Sequence, residues 1–439
     1  MCRRPWPTFL LAAVLTSGLT ARGDGLTTVE SRIAHAADVR RREAEALLEA
    51  VARIPSATGN AEGVRAVAKV FAAEFAGLDF TVRHDDPRLT PRRGGHIIAQ
   101  HTGGIGKRLL LIGHLDTVME GLPFERFTAG KDRRARGNGV NDMKGGDVVL
   151  LFALKALRDA GALDGLRIAV ILTGDEEDVG EPVALSRASM LELARQSDYA
   201  LAFESAIDDT ATVARRGFAS WTLTVKGRSA HSAEVLRSEG GAGAVYDAAR
   251  ILDALRTDLG AEPGLTINPS LFLAGTGVEH AADSGRGSAH GKRNVIAAEA
   301  VVEGDLRFLS LTQLTRTQDR MKAIAGRSLP KTSAAFAFHT DYPAMAPSPR
   351  NDALLRVLDK ASRDLRLGPI KALPAERRGA GDIAFVSHLL PCLDGLGARG
   401  ERSHSPEEWV DLDSLAPQIQ RAALLIYRLC HDASKPVGP

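Results

Sequence analysis

Residues 166–180, "LRIAVILTGDEEDVG", constrain the fold more than any other stretch. An unbroken apolar run suits a strand buried on both faces. It stops at Thr173 and Gly174, and four acids follow in a row: Asp175, Glu176, Glu177 and Asp178. So much like charge at the end of a core strand needs cations beside it. Similar runs recur. "HIIAQH" and "RLLLIGH" read as strands, as does "DYALAFES", and helical patterns over 61–75, 143–160 and 184–195 alternate with them. The periodicity over 27–53 also predicts a helix. Strands without internal alternation, interleaved with helices, predict an α/β layered sandwich around a largely buried sheet.

The rhythm changes near residue 215. "GFASWTLTVKG" alternates apolar and polar residues, as an antiparallel strand with one wet face does. A helix over 241–259, strands in "LTINPSLFLAG", "NVIAAEAVVEGDLRF" and "TSAAFAFHTDYPA", and a helix over 311–326 complete a β-α-β-β-α-β grouping. After Pro347 and Pro349 the first style resumes, with helices over 352–366 and 413–430 around "PCLDGLG". A chain of 439 residues is long for one domain. The expected division is therefore a first domain over 24–214 and 347–439 carrying an inserted α+β domain over 215–346. Arg3 and Arg4 before "FLLAAVLTSGLTA" read as a secretory signal over 1–23, too short to span a membrane. An uncleaved anchor and a misassigned start are its alternatives. Export, to the periplasm or medium, leaves no membrane segment in the mature chain. It also leaves Cys392 and Cys430, too few for a disulfide framework; Cys392, in an apolar run, reads as a buried thiol. Lys plus Arg, 56, nearly balance Asp plus Glu, 54, so no charge footprint for nucleic acid exists.

In open α/β sheets ligands gather at the carboxyl ends of strands. There "LLLIGHLDTV" places His114 and Asp116, the acidic run places Glu176 and Glu177, and "ALAFESA" places Glu204. "GNGVNDMKGG" adds Asp142 before a helix, with Gly137, Gly139, Gly145 and Gly146 allowing a tight turn and close approach. "ERSHSPEEW" offers His404. Alone, each has an ordinary reading: a surface His-x-Asp pair, a solvated acidic turn, a helix cap at Asp142. Together they make a donor set. Two histidines and three carboxylates suit two Zn²⁺ ions, one carboxylate bridging. Such ions polarise a carbonyl and activate water, and a further carboxylate moves its proton. Adjacent Glu176 and Glu177 leave the strand on different sides, one toward the metals and one toward the water.

In order along the chain, "GHLDTV", "GNGVNDMKGG", "TGDEE", "FES" and "SHSPEEW" resemble the metal motifs of the co-catalytic zinc aminoacylase and carboxypeptidase family, with the bacterial glutamate carboxypeptidases the nearest branch. The resemblance implies a zinc-peptidase α/β/α sandwich with an inserted ferredoxin-like lid that also dimerises. It places His114, Asp142 and Glu204 on one zinc and Asp142, Glu177 and His404 on the other, with Asp116 orienting His114 and Glu176 as general base and then acid. "GRSAHS" resembles the lid motif whose histidine reaches the partner's site, which makes His231 an oxyanion stabiliser; a surface-turn histidine is its plain alternative. Asn294 and Arg307 match lid residues that hold the substrate carboxylate, against an ordinary salt bridge for Arg307. "RRGAGDIAF" matches the family's Gly-Gly-Ser/Thr-Asp stretch at Gly379, Gly381 and Asp382, but Gly381 stands where the hydroxyl is expected. Asp142-Met143 falls where the family often has a cis peptide. The implied activity is hydrolysis of a peptide or amide bond beside a free C-terminal carboxylate. An N-acyl amino acid deacylase is the alternative, and a non-catalytic zinc or peptide-binding protein the remote one.

Overall fold

A computed structural model describes residues 25–118, 127–281 and 285–432; the expected signal segment lies outside the described residues. The main sheet has six strands, in spatial order Thr81–Asp85, His96–His101, Leu166–Thr173, Ile105–His114, Tyr199–Ala202 and Cys392–Leu393. The last four run parallel, and the first two form an antiparallel edge. The unbroken apolar runs follow from burial on both faces. Leu109 and Leu111 pack into one core with the helices Lys144–Asp159 and Leu415–Cys430, while Leu110 and Ile112 pack into the other with Met190, Leu193 and Ile383. Successive side chains of one strand thus serve opposite layers. The expected α/β sandwich is present, and among the described residues no helix is long and apolar enough to cross a membrane.

Two predicted helices are each broken. The segment 27–53 forms Thr28–Val39 and Arg41–Ala52, with the turn at Arg40, whose Nε reaches Asp159 at 2.5 Å. The segment 184–195 forms Val183–Ser186 and Ala188–Arg195. There Arg187 turns into the core, 1% exposed, to meet Asp175 and Asp382. At each break an arginine pairs with an acid from another segment, Asp159 for Arg40 and Asp175 with Asp382 for Arg187. Cys392 and Cys430 are both free and buried.

A second sheet, in the order Thr266–Gly275, Glu299–Phe308, Gly217–Lys226 and Ser333–Tyr342, is antiparallel throughout. Ala244–Leu259 and Leu311–Ala325 cover one face around Trp221, Leu223, Val225, Ile251 and Met321, a core separate from the first two. The other face is open, which accounts for the alternation in the sequence. One element was not anticipated. The hairpin Gly277–Ala281 with Arg286–His290 projects between two sheet strands, so the strand expected from residue 294 begins only at Glu299. The chain enters and leaves this unit side by side, where Arg215 and Met345 exchange backbone hydrogen bonds at 2.9 and 3.0 Å.

The glycines before the central helix divide by role. Gly137 and Gly139 have φ of 152° and 73°, conformations that the turn requires. Gly145 and Gly146 permit contact instead: a Cβ on Gly146 would lie 1.8 Å from the carbonyl oxygen of Phe203. Gly146→Ala is expected to destabilise the fold by about 1–3 kcal/mol, typical of overpacking. Thermal unfolding of the variant checks this.

Candidate metal centre

Three parallel strands deliver the site. His114 ends one strand; the acidic run follows Thr173; Glu204 lies two residues past Ala202. Asp142 arrives from the turn before the central helix, through a cis peptide to Met143. His404 arrives from a turn near the C-terminus, with φ of 64°. Asp142 stands at the middle. Its Oδ1 is 3.4 Å from His114 Nε2, and its Oδ2 is 3.2 Å from His404 Nε2. Glu204 Oε1 lies 3.7 Å from His114 Nε2, and Glu177 Oε2 lies 3.3 Å from His404 Nε2. Two ligand groups therefore share Asp142: His114, Asp142 and Glu204, and Asp142, Glu177 and His404. Glu176 joins His114 and Glu177 in a third grouping.

The four acids divide into two pairs. Asp175 turns into the core, accepting from Gly180 N–H at 3.0 Å, Ser186 Oγ at 2.7 Å and Arg187 Nη1 at 2.6 Å. Asp178 turns outward to Arg93. Glu176 and Glu177 remain for the site, held by their backbones. Asp116 accepts the N–H of each, on separate oxygens, at 3.1 Å, and takes the hydroxyl of Thr58 at 2.7 Å. Asp116 Oδ1 also lies 3.4 Å from His114 Nδ1, and the Asp116 carbonyl lies 3.1 Å from it, leaving Nε2 to face the cluster.

The charges of the bare site do not balance. Burial and then Asp142 push Glu204 up to about 7, and burial raises Glu177 and, further, Glu176. Burial pulls His114 down, but Asp116 and Asp142 outweigh it and leave the imidazole well above its usual range. Hydrogen bonding to Asp142 and Glu177 holds His404 up at about 11. Without cations the cluster retains protons. His114 Nε2 and Glu177 Oε1 are also buried with no hydrogen-bond partner, a costly state for polar atoms that a coordinated ion removes. The donor set, imidazole and carboxylate with one shared bridge, fits two divalent ions.

Several contributing residues escaped the sequence reading. Glu408 is buried and accepts the N–H groups of Gly139 at 2.8 Å, Asn141 at 2.8 Å and Asp142 at 2.9 Å, fixing the turn that presents Asp142. Arg215 lies 3.8 Å from Glu204 Oε1, and the Tyr342 hydroxyl donates to the Glu176 carbonyl. Nothing local in "SPEEW" or "ARRG" separates these residues from surface charges.

The nominated substrate residues fall in three places. Gly379 lies beside the cluster, its carbonyl accepting Arg215 Nε at 3.0 Å, and Gly381 lies under the same guanidinium. Arg307 sits at the end of the inserted sheet nearest the linkers, bonded to Asp305 at 3.1 Å and 4.3 Å over the Phe218 ring. His231 and Asn294 meet at the opposite end, where Ser232 N–H donates to the Asn294 carbonyl at 2.9 Å. The strand Gly217–Lys226 separates that end from Arg215 and Tyr342, a span of about 30 Å for ten residues. Within one chain, His231 and Asn294 are not brought to the cluster.

Residues 110–428 match the model of Peptidase family M20/M25/M40. Carboxypeptidase G2 of Pseudomonas sp. (strain RS-16) is 29% identical over 397 residues, covering 87% of this chain and 88% of that protein. Succinyl-diaminopimelate desuccinylase of Methylobacterium sp. (strain 4-46) is 27% identical over 423 residues, covering 90% and 96%. Among solved structures, a dinuclear metal-binding M20 peptidase of Bacillus subtilis superposes with a TM-score of 0.62 at 15% identity, covering 90% of this chain and 99% of that one. With five ligand-type side chains gathered at one sheet edge and a family match over most of the chain, the protein belongs to peptidase family M20/M25/M40 and is a metallopeptidase-type hydrolase.

Proposed function

We propose that the protein hydrolyses a peptide or amide bond beside a free C-terminal carboxylate, in the manner of a glutamate carboxypeptidase, with two zinc ions per chain. The observation that carries this reading is the pair of ligand groups sharing Asp142, with Glu176 adjacent and outside both. His114, Asp142 and Glu204 would hold one ion, and Asp142, Glu177 and His404 the other. The bound ions supply Lewis acidity and lower the pKa of water. Asp116 keeps the His114 ring turned toward the cluster. Glu176 takes a proton from the attacking water and delivers it to the departing nitrogen. Arg307, together with Asn294 of a second copy, would clamp the substrate carboxylate, with Gly379 and Gly381 lining the adjacent wall.

Because His231 and Asn294 stand about a strand's length from their own cluster, they serve the site of a second copy, docked through the inserted unit. His231 there steadies the developing oxyanion. The N-terminal segment directs export to the periplasm or medium. A second reading, an N-acyl amino acid deacylase, is supported by similarity to a succinyl-diaminopimelate desuccinylase. A binding protein without catalysis has no use for Glu176.

Three outcomes are expected. Zinc-loaded protein should release free amino acid from N-blocked dipeptides with C-terminal acids and not from their amides, measured by amino acid analysis. Cleavage of both alike would rule out carboxylate recognition, and preference for simple N-acyl amino acids would select the second reading. Glu176→Gln should keep its zinc and lose about 10²- to 10⁴-fold in kcat. Mixing it with an inactive His231→Ala protein should restore part of the activity, since one site of each mixed dimer regains both groups; no recovery would remove the role across subunits.

Metal binding should also release protons. The ligand forms are deprotonated, and His404 at about 11 and Glu204 at about 7 carry protons in the metal-free protein near neutrality. Zinc affinity therefore rises with pH. Calorimetric titration at pH 7 in two buffers of different ionisation enthalpy should give at least one proton released per chain, and none in His404→Ala from that position.

A further inference from the structure

Five arginines among the described residues are buried: Arg93, Arg187, Arg215, Arg378 and Arg421. Four have a carboxylate at salt-bridge distance: Asp178, Asp175 with Asp382, Asp394, and Asp209 respectively, taking Arg93, Arg187, Arg215 and Arg421 in turn. Arg378 has none. Its Nε donates to Thr212 Oγ1 at 3.2 Å, its Nη1 to Ser205 Oγ at 3.4 Å, and its Nη2 to the Ser205 carbonyl. All three acceptors are neutral. A guanidinium does not shed its proton in a protein. Arg378 is therefore a buried cation with no carboxylate at salt-bridge distance; Arg215 acts against its charge, and Asp394, Glu204 and Asp142 act for it only from farther away. A buried charge in this state lowers stability until an anion completes it.

Its place in the fold indicates which anion. Ser205, which it grips, follows Glu204, and Arg378 opens the stretch Gly379–Asp382 that resembles the family's substrate-end loop. The loop's missing hydroxyl also has a physical cause. A Cβ on Gly381 would lie 1.9 Å from Arg215 Nη1 and 2.4 Å from its Cζ, so the guanidinium takes the space of a side chain. Asp394 occupies Nη1 of Arg215 at 2.8 Å. The wall beside Glu204 thus holds two guanidinium groups and one carboxylate of its own, where relatives offer a neutral hydroxyl.

We propose that Arg378, backed by Arg215, binds a carboxylate of the substrate beside Glu204 and makes this protein selective for an acidic group there. The proposal rests on the hydrolase reading above. A carboxylate at this wall has two sources, the C-terminal α-carboxylate or an acidic side chain, and the chemistry of recognition is the same for both.

The test is binding, independent of turnover. Zinc-loaded protein is titrated calorimetrically with L-glutamate, L-glutamine and L-isoglutamine, which carry both carboxylates, the α-carboxylate alone and the side-chain carboxylate alone. L-Glutamate is expected to bind, and Arg378→Gln to raise its Kd at least about tenfold, as loss of a charge-assisted hydrogen bond does. Arg378→Lys should recover part of that loss, and both variants should hold two zinc ions. The monoamide whose affinity is indifferent to Arg378→Gln identifies the source, because it lacks the recognised group. Equal affinity of wild type and Arg378→Gln for all three compounds overturns the proposal, as does failure of L-glutamate to bind the wild type. Zinc loss in Arg378→Gln that Arg378→Lys does not repair would make the residue a brace for the Glu204 segment and also overturn it. Glutamate binding without any peptide cleavage would sink the hydrolase reading and leave this one standing.

Discussion

The structure depends on Asp142 being held among other carboxylates. It faces both histidines, one on each oxygen, while Glu177 and Glu204 converge on the same space. Like charges so close cannot all ionise in a low-dielectric site, and burial has driven the carboxyls of Glu204, Glu177 and Glu176 upward. Two divalent ions invert that logic: each replaces protons that the ligands would otherwise keep. The same arrangement that is awkward for the bare fold is what a pair of cations requires.

Much of the surrounding framework keeps this crowding in place. Asp116 joins the His114 strand to the turn after Thr173 by accepting both glutamate amides. Glu408, from the far end of the chain, gathers three amides of the Asp142 turn. Below them Arg187 bridges Asp175 and Asp382, tying the acidic turn to the Gly381 loop inside the core. Each contact joins segments distant in sequence, so the ligand positions depend on the completed fold. Buried arginines do the electrostatic balancing. Arg378, the one with no carboxylate at salt-bridge distance, reaches Ser205, next to Glu204.

The separate sheet and core of residues 217–342 relate to this centre in two ways. Its linker end touches the site through Arg215 and Tyr342, whereas its far end carries His231 and Asn294 out of reach. A ten-residue strand is a rigid spacer, so residues at its two ends cannot serve one small site in a single chain. The geometry gives the second copy in the proposed function a physical task.

Much was legible in the sequence because it was local. Unbroken apolar runs specified strands buried on both faces, alternation specified a one-sided sheet, and ligand-type residues at strand ends specified a metal centre at the carboxyl edge. The helix breaks at Arg40 and Arg187 were not legible, since the acids that pair with these arginines, Asp159 and Asp382, lie far along the chain. The hairpin before Asn294 was missed because a polar, Gly-rich stretch reads as a loop. Nor could the sequence separate the four acids into two for arginine and two for the site, or show that Gly381 lies under Arg215. Periodicity and residue type act along the chain and determined the layers and the ligand set. Charge pairing and steric exclusion act between segments tens to hundreds of residues apart, and only the tertiary structure decided which carboxylates are neutralised, which remain for cations, and which buried guanidinium has no carboxylate at salt-bridge distance.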